Sequence, residues 1–273
     1  MNGWLVYDDA GARKNAWFIE RLIELGAQAG VSLSLRIYEG AESFAGAALP
    51  DFAIVRVIAP ACNAWLEARG VRTFNNAETA RIANDKWRTY LACKEWEIPV
   101  LPTRLLAEEV PSETAAYPCV LKSRDGHGGA EVYLATNGRE YAQAANALTS
   151  AGKQGIVQAQ NTTLGKDVRL YALGGEIVAG VLRTSERDFR SNFSLGGRVQ
   201  PFEADERQRA IVAKLHEKMR FDYVGVDFLP DDAGGWVLNE IEDAAGARML
   251  YQTSSVDIAA LFMRHVIRQM QIR

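Results

Sequence analysis

Residues 224–248, VGVDFLPDDAGGWVLNEIEDAAGAR, contain two runs of alternating apolar residues separated by an acidic turn that ends in two glycines. Asp227 lies in the first run, and Glu240 and Glu242 lie in the second. Two such runs joined through residues 231–235 predict a β-hairpin. Because side chains alternate between the two faces of a strand, we expect Glu240 and Glu242 to share one face, which Asp227 joins from the paired strand.

Three carboxylates on one face of a hairpin repel one another, and the sequence allows two ways of relieving that repulsion. In the first, the hairpin lies at an edge and water solvates an ordinary polar face. In the second, a cation binds among the carboxylates, and hard oxygen ligands favour Mg²⁺ or Mn²⁺. This stretch alone leaves both alternatives open.

The composition is that of a globular chain. With 273 residues, of which 48% are hydrophobic, it can bury a sizeable core in two domains or in one domain with lobes. The net charge of -3 gives no basic footprint, so we expect no nucleic-acid partner. Cys62, Cys93 and Cys119 are far apart, which favours reduced thiols and a cytoplasmic protein. We expect no signal peptide and no membrane association, because no apolar run reaches membrane-spanning length.

The amino-terminal part has an α/β pattern. Short apolar runs at 3–7, in LSLRIY and in FAIVRV flank a helical pattern that includes Trp17, Ile19 and Leu22. Strand, helix and strand with short connections predict a parallel sheet over roughly residues 1–78. Arg56 lies at the carboxyl end of the FAIVRV strand, where open α/β sheets place ligands. An exposed strand-end arginine is the alternative interpretation.

A glycine-rich hairpin follows in the middle of the chain. Lys122 ends the strand PCVLK directly before a loop with Gly126, Gly128 and Gly129. A fixed cation beside mobile backbone amides can neutralise and surround phosphates. The lysine precedes the glycines and no GKS or GKT follows, so a P-loop is not supported. A plain hairpin turn is the alternative for the glycines, and an ordinary surface lysine is the alternative for Lys86, a second candidate cation.

Charged residues alternate on the next two predicted strands. Asp167 and Arg169 share a face of KDVRLYAL, and Arg183 lies on EIVAGVLR beyond a tight Gly-Gly turn. Structural ion pairs explain these three residues equally well. Arg190 and Asn192 lie in the irregular segment DFRSN. They suggest a phosphate or carboxylate clamp, since guanidinium groups match planar oxyanions, although loop arginines are usually just solvated.

In combination these elements resemble the ATP-grasp superfamily and, more narrowly, its RimK-like branch of carboxylate-amine ligases, over about residues 80–260. The motifs that carry the resemblance are Asp85-Lys86, PCVLK with GHGG, GKDVRLYALGGEIVAGVLR, DFRSN, LGG, VGVDFL and NEIED. Each motif is short, but their order and spacing are specific. The resemblance implies an α/β and α+β fold: an amino-terminal Rossmann-like (preATP-grasp) α/β domain, 1–80; an ATP-grasp small lobe with the glycine loop, 81–157; and a large lobe with the metal-binding hairpin, 158–273. The two lobes enclose the nucleotide.

The resemblance also implies roles for individual residues. ATP and two Mg²⁺ (or Mn²⁺) ions are the expected cofactors, with Asp227, Glu240 and Glu242 as metal ligands. Arg190 and Asn192 would hold the transferring phosphate and the acyl group, and Arg169 is the third predicted catalytic residue. The residues expected to bind the nucleotide also include Lys86, Lys122, Gly126, Gly128, Gly129, Gln158, Ala159, Gln160, Asn161 and Asp167. Those expected to bind the substrate are Arg56, Arg183 and Arg248.

The reaction that the resemblance implies is ATP-dependent ligation of a carboxylate to an amine. The carboxylate attacks the γ-phosphate, and an amine captures the acylphosphate to give an amide or peptide bond, ADP and phosphate. The expected substrates are small-molecule or peptide carboxylates and amines, and a homo-oligomer is compatible with the family. A small-molecule kinase and a non-catalytic nucleotide-binding protein are the alternatives.

Two positions depart from the family pattern. Glu242 stands where the family usually has a neutral asparagine, which adds a negative charge to the predicted metal site. Ala159 stands where an acid usually follows the glutamine at the adenine hinge. The first departure affects the coordination and choice of the metal ion, and the second affects the specificity for adenine.

Overall fold

Three β-sheets make up the computed structural model, which describes residues 1–40, 42–106, 116–129, 131–159, 165–185, 197–231 and 233–272. Among these residues, no helix combines the length and the apolar character needed to span a bilayer.

The first sheet has the strand order β2-β1-β3-β4 and is parallel at every pairing, which confirms the predicted parallel sheet. Its strands are β1 (Asn2–Tyr7), β2 (Ser32–Ile37), β3 (Phe52–Val55) and β4 (Arg72–Phe74). The helices of this region are α1 (Asp9–Lys14), α2 (Ala16–Gln28), α3 (Pro60–Glu67) and α4 (Ala77–Ala83). In α2, Ile19 and Leu22 are buried, whereas Trp17 is 57% exposed. The helical pattern is therefore correct, but Trp17 does not lie on its buried face.

The second sheet is antiparallel, with the order β5-β8-β6-β7. Its strands are β5 (Thr103–Leu105), β6 (Cys119–Ser123), β7 (Val132–Ala135) and β8 (Gly155–Ala159), accompanied by α5 (Lys86–Glu95) and α6 (Gly138–Ser150). Strands β6 and β7 form the predicted glycine-loop hairpin. Asp85 caps α5, because its carboxylate accepts hydrogen bonds from the backbone amides of Trp87 and Arg88. Lys86 therefore lies at the first helical position, directly beside the end of β6, where its backbone amide donates to the Arg124 carbonyl.

The third sheet is also antiparallel, with the order β11-β10-β9-β12-β13. Its strands are β9 (Lys166–Leu173), β10 (Glu176–Thr184), β11 (Arg198–Pro201), β12 (Tyr223–Pro230) and β13 (Trp236–Glu242). The helices are α7 (Glu206–Met219), α8 (Arg248–Thr253) and α9 (Ile258–Gln271). Gly174 and Gly175, at φ 58° and 89°, form the predicted tight turn between β9 and β10.

The β12–β13 hairpin contains a bulge that the alternation argument did not predict. Asp227 pairs with Glu240, but the next residue, Phe228, pairs with Leu238, so Asn239 is an extra residue without its own cross-strand partner. Leu238 and Ile241 are three positions apart and are both buried in the core. The bulge accounts for this spacing.

Asn75, at the end of β4, links the first sheet to the third. Its buried side-chain oxygen accepts hydrogen bonds from the backbone amides of Asp222 (2.6 Å) and Tyr223 (2.8 Å). Its side-chain nitrogen donates to the Tyr223 carbonyl (2.7 Å) and to Asp243 Oδ1 (2.5 Å). One hydrophobic cluster also includes residues of the first sheet, of β12 and of α9. The domain boundaries at 80 and 157 stay a prediction.

Replacing Asn75 with alanine should lower the free energy of unfolding by about 2 to 4 kcal/mol, because several buried polar groups lose their partners. Urea denaturation followed by tryptophan fluorescence measures the change. Gln28→Ala, at an exposed position, is the control and should shift stability by less than about 0.5 kcal/mol. Equal stability of the Asn75 variant and the wild type would refute the linking role.

Candidate functional site

The three predicted carboxylates lie together at the hairpin. One oxygen each from Asp227, Glu240 and Glu242 can be chosen so that all lie within 4.8 Å of one another. Asp227 is 2% exposed, whereas Glu240 and Glu242 are partly exposed. The cross-strand pairing of Asp227 with Glu240, and of Gly225 with Glu242, brings the three side chains to one face.

Two arginines compensate much of this negative charge. Arg169 donates to both oxygens of Asp227, at 2.7 and 2.6 Å, and pairs with Glu242 at 2.6 Å. Arg183 donates to Asp227 at 2.8 Å and also forms a two-pronged ion pair with Asp167. Guanidinium groups thus lie among the carboxylates. The two alternatives considered from the sequence, a solvated face and a bound metal ion, did not include this arrangement. The ion-pair interpretation of Asp167, Arg169 and Arg183 is confirmed, whereas their roles toward nucleotide and substrate stay predictions.

The environment shifts the pKa values of the three carboxyl groups differently. Burial raises the pKa of Asp227, but Arg169 and Arg183 outweigh burial and lower it to about 2. Burial likewise opposes ionisation of Glu240, but Lys86 and Lys122 hold its pKa below the ordinary value. Burial raises the pKa of Glu242, and the neighbouring carboxylates add to this despite Arg169. Glu242 is therefore the carboxylate of the cluster that protonates most readily.

Two lysines approach the cluster from the second sheet and from α5. Lys122 is 6% exposed, and its Nζ donates to Asn239 Oδ1 at 3.1 Å. Lys86 Nζ lies 3.7 Å from Glu240 Oε2 and also donates to the carbonyl of Gly126. Burial lowers the pKa of Lys122 to about 8. The two lysines predicted to bind phosphate thus lie directly beside the predicted metal ligands.

The carboxylates fit a small divalent cation. Mg²⁺ binds oxygen at about 2.1 Å, so its ligand oxygens lie roughly 3 to 4 Å apart. The three carboxylates offer oxygens within 4.8 Å of one another, which is close to that spacing. Glu240 is the carboxylate least engaged by other groups, and carboxylate oxygens that accept one hydrogen bond keep a second lone pair. Asp227, Glu240 and Glu242 would hold the ion.

A cleft of about 420 Å³ opens next to the cluster. The first sheet, the glycine loop and the third sheet all contribute to its wall. Its charged and polar lining residues include Asp8, Lys14, Asn15, Arg56, Asn84, His127, Arg169, Arg183, Glu242, Asp243 and Arg248. All three residues predicted to bind substrate therefore line one cleft. The alternative for Arg56, a plain exposed residue, is wrong, because Arg56 is half-buried and its Nη2 donates to the Ala245 carbonyl at 2.6 Å.

The glycine loop and the hinge are only partly described. Gly128 lines the cleft. Gly128 and Gly129 have φ values of 72° and 79°, a backbone conformation that residues other than glycine rarely adopt. Gln158 is buried, and its Nε2 donates to Thr103 Oγ1 at 3.0 Å, so this side chain is already engaged. Ala159 lines a separate pocket of about 250 Å³ between β5, β8 and α5. The predicted residues Gln160, Asn161, Arg190 and Asn192 lie outside the described residues.

Sequence reasoning missed two polar residues of this site. Asn239 is the partner of Lys122, and the irregular spacing between Leu238 and Ile241 was the signal that it occupies a bulge. Asn84 lines the cleft, and its Nδ2 lies 3.3 Å from Asp243 Oδ2. No local pattern marks Asn84, because its neighbours in the fold are distant in the sequence.

Comparison with known proteins places this arrangement in a family. Residues 83–266 match the RimK-like ATP-grasp domain. An uncharacterised protein of Mycoplasma genitalium is 30% identical over 190 residues, which cover 68% of this chain and 63% of that protein. The glutamate–LysW ligase ArgX of Sulfurisphaera tokodaii is 27% identical over 230 residues, covering 79% of this chain and 81% of that protein. The chain thus spans less than two thirds of its mycoplasma relative.

Solved structures share the fold. D-cycloserine synthetase DcsG superposes with a TM-score of 0.75 at 18% identity, covering 98% of this chain and 99% of that one. D-alanine–D-alanine ligase from Bacillus anthracis, solved with ATP, has a TM-score of 0.75 at 12% identity, covering 99% and 97%. The expected mixed α/β ATP-grasp fold is thereby confirmed. The family match at residues 83–266 covers more than half of the chain, so the chain belongs to the RimK-like ATP-grasp family, as its motifs predict.

Proposed function

We propose that this chain is an ATP-dependent ligase that joins a carboxylate to an amine through an acylphosphate and releases ADP and phosphate. The observation that carries the proposal is the meeting of three carboxylates with Lys86 and Lys122 at the edge of a cleft that also contains Arg169 and Arg183. Cations that face metal ligands across a narrow gap suit a polyphosphate with its divalent ion. Relatives named as ligases support the same reaction class.

The residues of the site would divide the work as follows. Lys86 and Lys122 neutralise phosphate oxygens, and Lys122 exchanges Asn239 for phosphate when ATP binds. A divalent ion held by the carboxylates would offset further charge on the phosphoryl group. Arg169 and Arg183 are fixed by Asp227, so they meet developing negative charge without reorganising. The glycine loop beside Lys86 would exclude water from the acylphosphate.

The substrates would enter at the end of the cleft that Arg56 and Arg248 line. Arginine groups there favour a reactant with a carboxylate, such as an amino acid or a peptide. Relatives named probable alpha-L-glutamate ligase, including one from Histophilus somni that is 29% identical over 197 residues, support this substrate class.

Product analysis tests the proposal directly. Purified protein is incubated with ATP, Mg²⁺ and pairs of carboxylates and amines, with hydroxylamine as a general trap for acylphosphates. We expect ADP release that depends on the carboxylate, together with a hydroxamate or an amide in the mass spectrum. A phosphate ester of a hydroxyl substrate would instead identify a small-molecule kinase. ATP binding without ADP release over the whole panel would identify a non-catalytic nucleotide-binding protein.

Glu240→Gln should lower kcat for Mg²⁺-dependent ADP release by about 100-fold or more, because an anionic metal ligand becomes a neutral amide. The side chain is partly exposed, so the variant should unfold at nearly the wild-type temperature. Glu203→Gln, at a side chain that is 93% exposed, is the matched control and should remain active. Full activity of the Glu240 variant would remove this residue from the metal site.

Asp227 is a poorer probe than Glu240. Its removal would leave Arg169 and Arg183 without their shared buried partner. Breaking such a buried ion pair costs about 3 to 5 kcal/mol. Loss of activity in Asp227→Ala would therefore mix loss of a ligand with loss of stability.

Lys122 predicts how ATP use depends on pH. Above pH about 8 this lysine loses its proton in the free protein. The loss of positive charge weakens phosphate binding, so kcat/KM for ATP should fall by up to about tenfold per pH unit above that point. Lys122→Arg keeps its charge and should not show this fall, whereas Lys122→Ala should raise the KM for ATP and lower kcat at every pH. Identical pH profiles for the wild type and the arginine variant would contradict the role.

A further inference from the structure

A second cavity of about 280 Å³ adjoins the substrate end of the cleft, between the start of α2 and α8. Its apolar wall is formed by Trp17, Phe18, Ala247 and Tyr251, and we call it the apolar recess. We propose that the apolar recess binds a large aliphatic or aromatic side chain of the amino-acid reactant, and so sets specificity. This inference rests on the proposed ligase function and names the substrate class of the same site.

The apolar recess is continuous with the cleft. Asn15, Arg56, Gly246 and Arg248 line both cavities. Arg248 is exposed, and within the described part of the chain no residue pairs with its guanidinium. A reactant whose carboxylate binds Arg248 could therefore place its side chain in the apolar recess while its reacting group stays in the cleft.

Trp17 makes the recess an apolar binding surface. It is 57% exposed, although its indole ring packs edge-on against Tyr251, with ring centroids 4.9 Å apart at 83°. This contact holds the indole in place but leaves much of it uncovered. Covering that surface with an apolar side chain would release water from both partners, which favours binding.

Tyr251 offers the recess its ring rather than its hydroxyl group. The hydroxyl donates to Asp257 Oδ1 at 2.8 Å and accepts from the backbone amide of Ala259 at 3.1 Å. Both bonds are made at the start of α9, so the hydroxyl already has its partners there. Binding an apolar group against the ring would leave these bonds intact.

Arg56 is poorly placed to receive an acidic side chain in the recess. Its Nη2 donates to the Ala245 carbonyl, and its Nε, which has no hydrogen-bond partner among the described residues, is buried away from solvent. Its guanidinium lies 5.7 Å from the ring of Phe18 and 5.3 Å from that of Tyr223. Of the described residues that line the recess, Arg248 is thus the exposed cation, and one carboxylate of the reactant already engages it. A second carboxylate, as in glutamate, would lose hydration beside the apolar wall, where the neutral amides of Asn15 and Gln252 would be the remaining side-chain partners.

The test compares amino acids that differ in side chain. L-phenylalanine, L-leucine, L-alanine and L-glutamate are each offered as the carboxylate, with hydroxylamine as the amine, and as the amine with each carboxylate in turn. We expect kcat/KM for phenylalanine or leucine to exceed that for alanine and glutamate by about tenfold or more. Trp17→Ala should remove this preference and leave the KM for ATP unchanged, and Trp17→Phe should retain most of it. Leu35→Ala, another exposed apolar position of the first sheet at 39% exposure, should behave like the wild type.

Failure of this inference can be distinguished from failure of the ligase function. Turnover that prefers glutamate, or a preference that survives in Trp17→Ala, overturns the role of the apolar recess while the ligase function stands. If no pair turns over, calorimetry of L-phenylalanine with protein, Mg²⁺ and a non-hydrolysable ATP analogue decides the question. Binding that weakens about tenfold in Trp17→Ala supports the apolar recess. Absent binding, or equal binding by both proteins, overturns it.

Discussion

The carboxylate of Asp227, shared between the guanidinium groups of Arg169 and Arg183, is the interaction on which the site depends. The three residues come from β12, β9 and β10, which are neighbours in the third sheet. A buried charge is tolerated only when its partners are in place. A shift in register between these strands would therefore leave at least one buried ion unpaired. The ion network therefore favours one register of β10, β9 and β12, and the pair of Arg169 with Glu242 connects β13 to it.

The same network changes the meaning of the extra acid at position 242. By the resemblance, Glu242 stands where a neutral residue is expected, but its carboxylate pairs with Arg169 at 2.6 Å. The added negative charge is thus largely compensated by the protein itself. Because burial still raises its pKa, a divalent ion bound at this position would displace a proton, which it would not do from an amide ligand.

Periodicity predicted much of the fold and the centre of the site, because alternation along a strand is a local property. The hairpin, the convergence of Asp227 with Glu240 and Glu242, and the turn at Gly174-Gly175 all follow from patterns within short stretches. The pairing of Arg169 with Asp227 could not be predicted in this way, since 58 positions separate the two residues and only the packed sheet brings them together. The exposure of the Trp17 indole was not predicted either. An apolar residue beside the apolar face of a helix is normally assigned to the core, and only the packed structure shows that it is exposed.

The bulge in β13 leaves residue 239 outside the regular strand pairing and outside the packed core. Leu238 and Ile241 keep their buried places on either side of it, so residue 239 can change without repacking the interior. Asn239 nonetheless holds Lys122, and the backbone amide of Leu101 donates to the carbonyl of Leu238 beside it. Natural variation at this one residue would therefore change how strongly Lys122 is held while the carboxylates stay untouched. If the proposed function is correct, such variation would tune how readily nucleotide replaces Asn239 as the partner of Lys122.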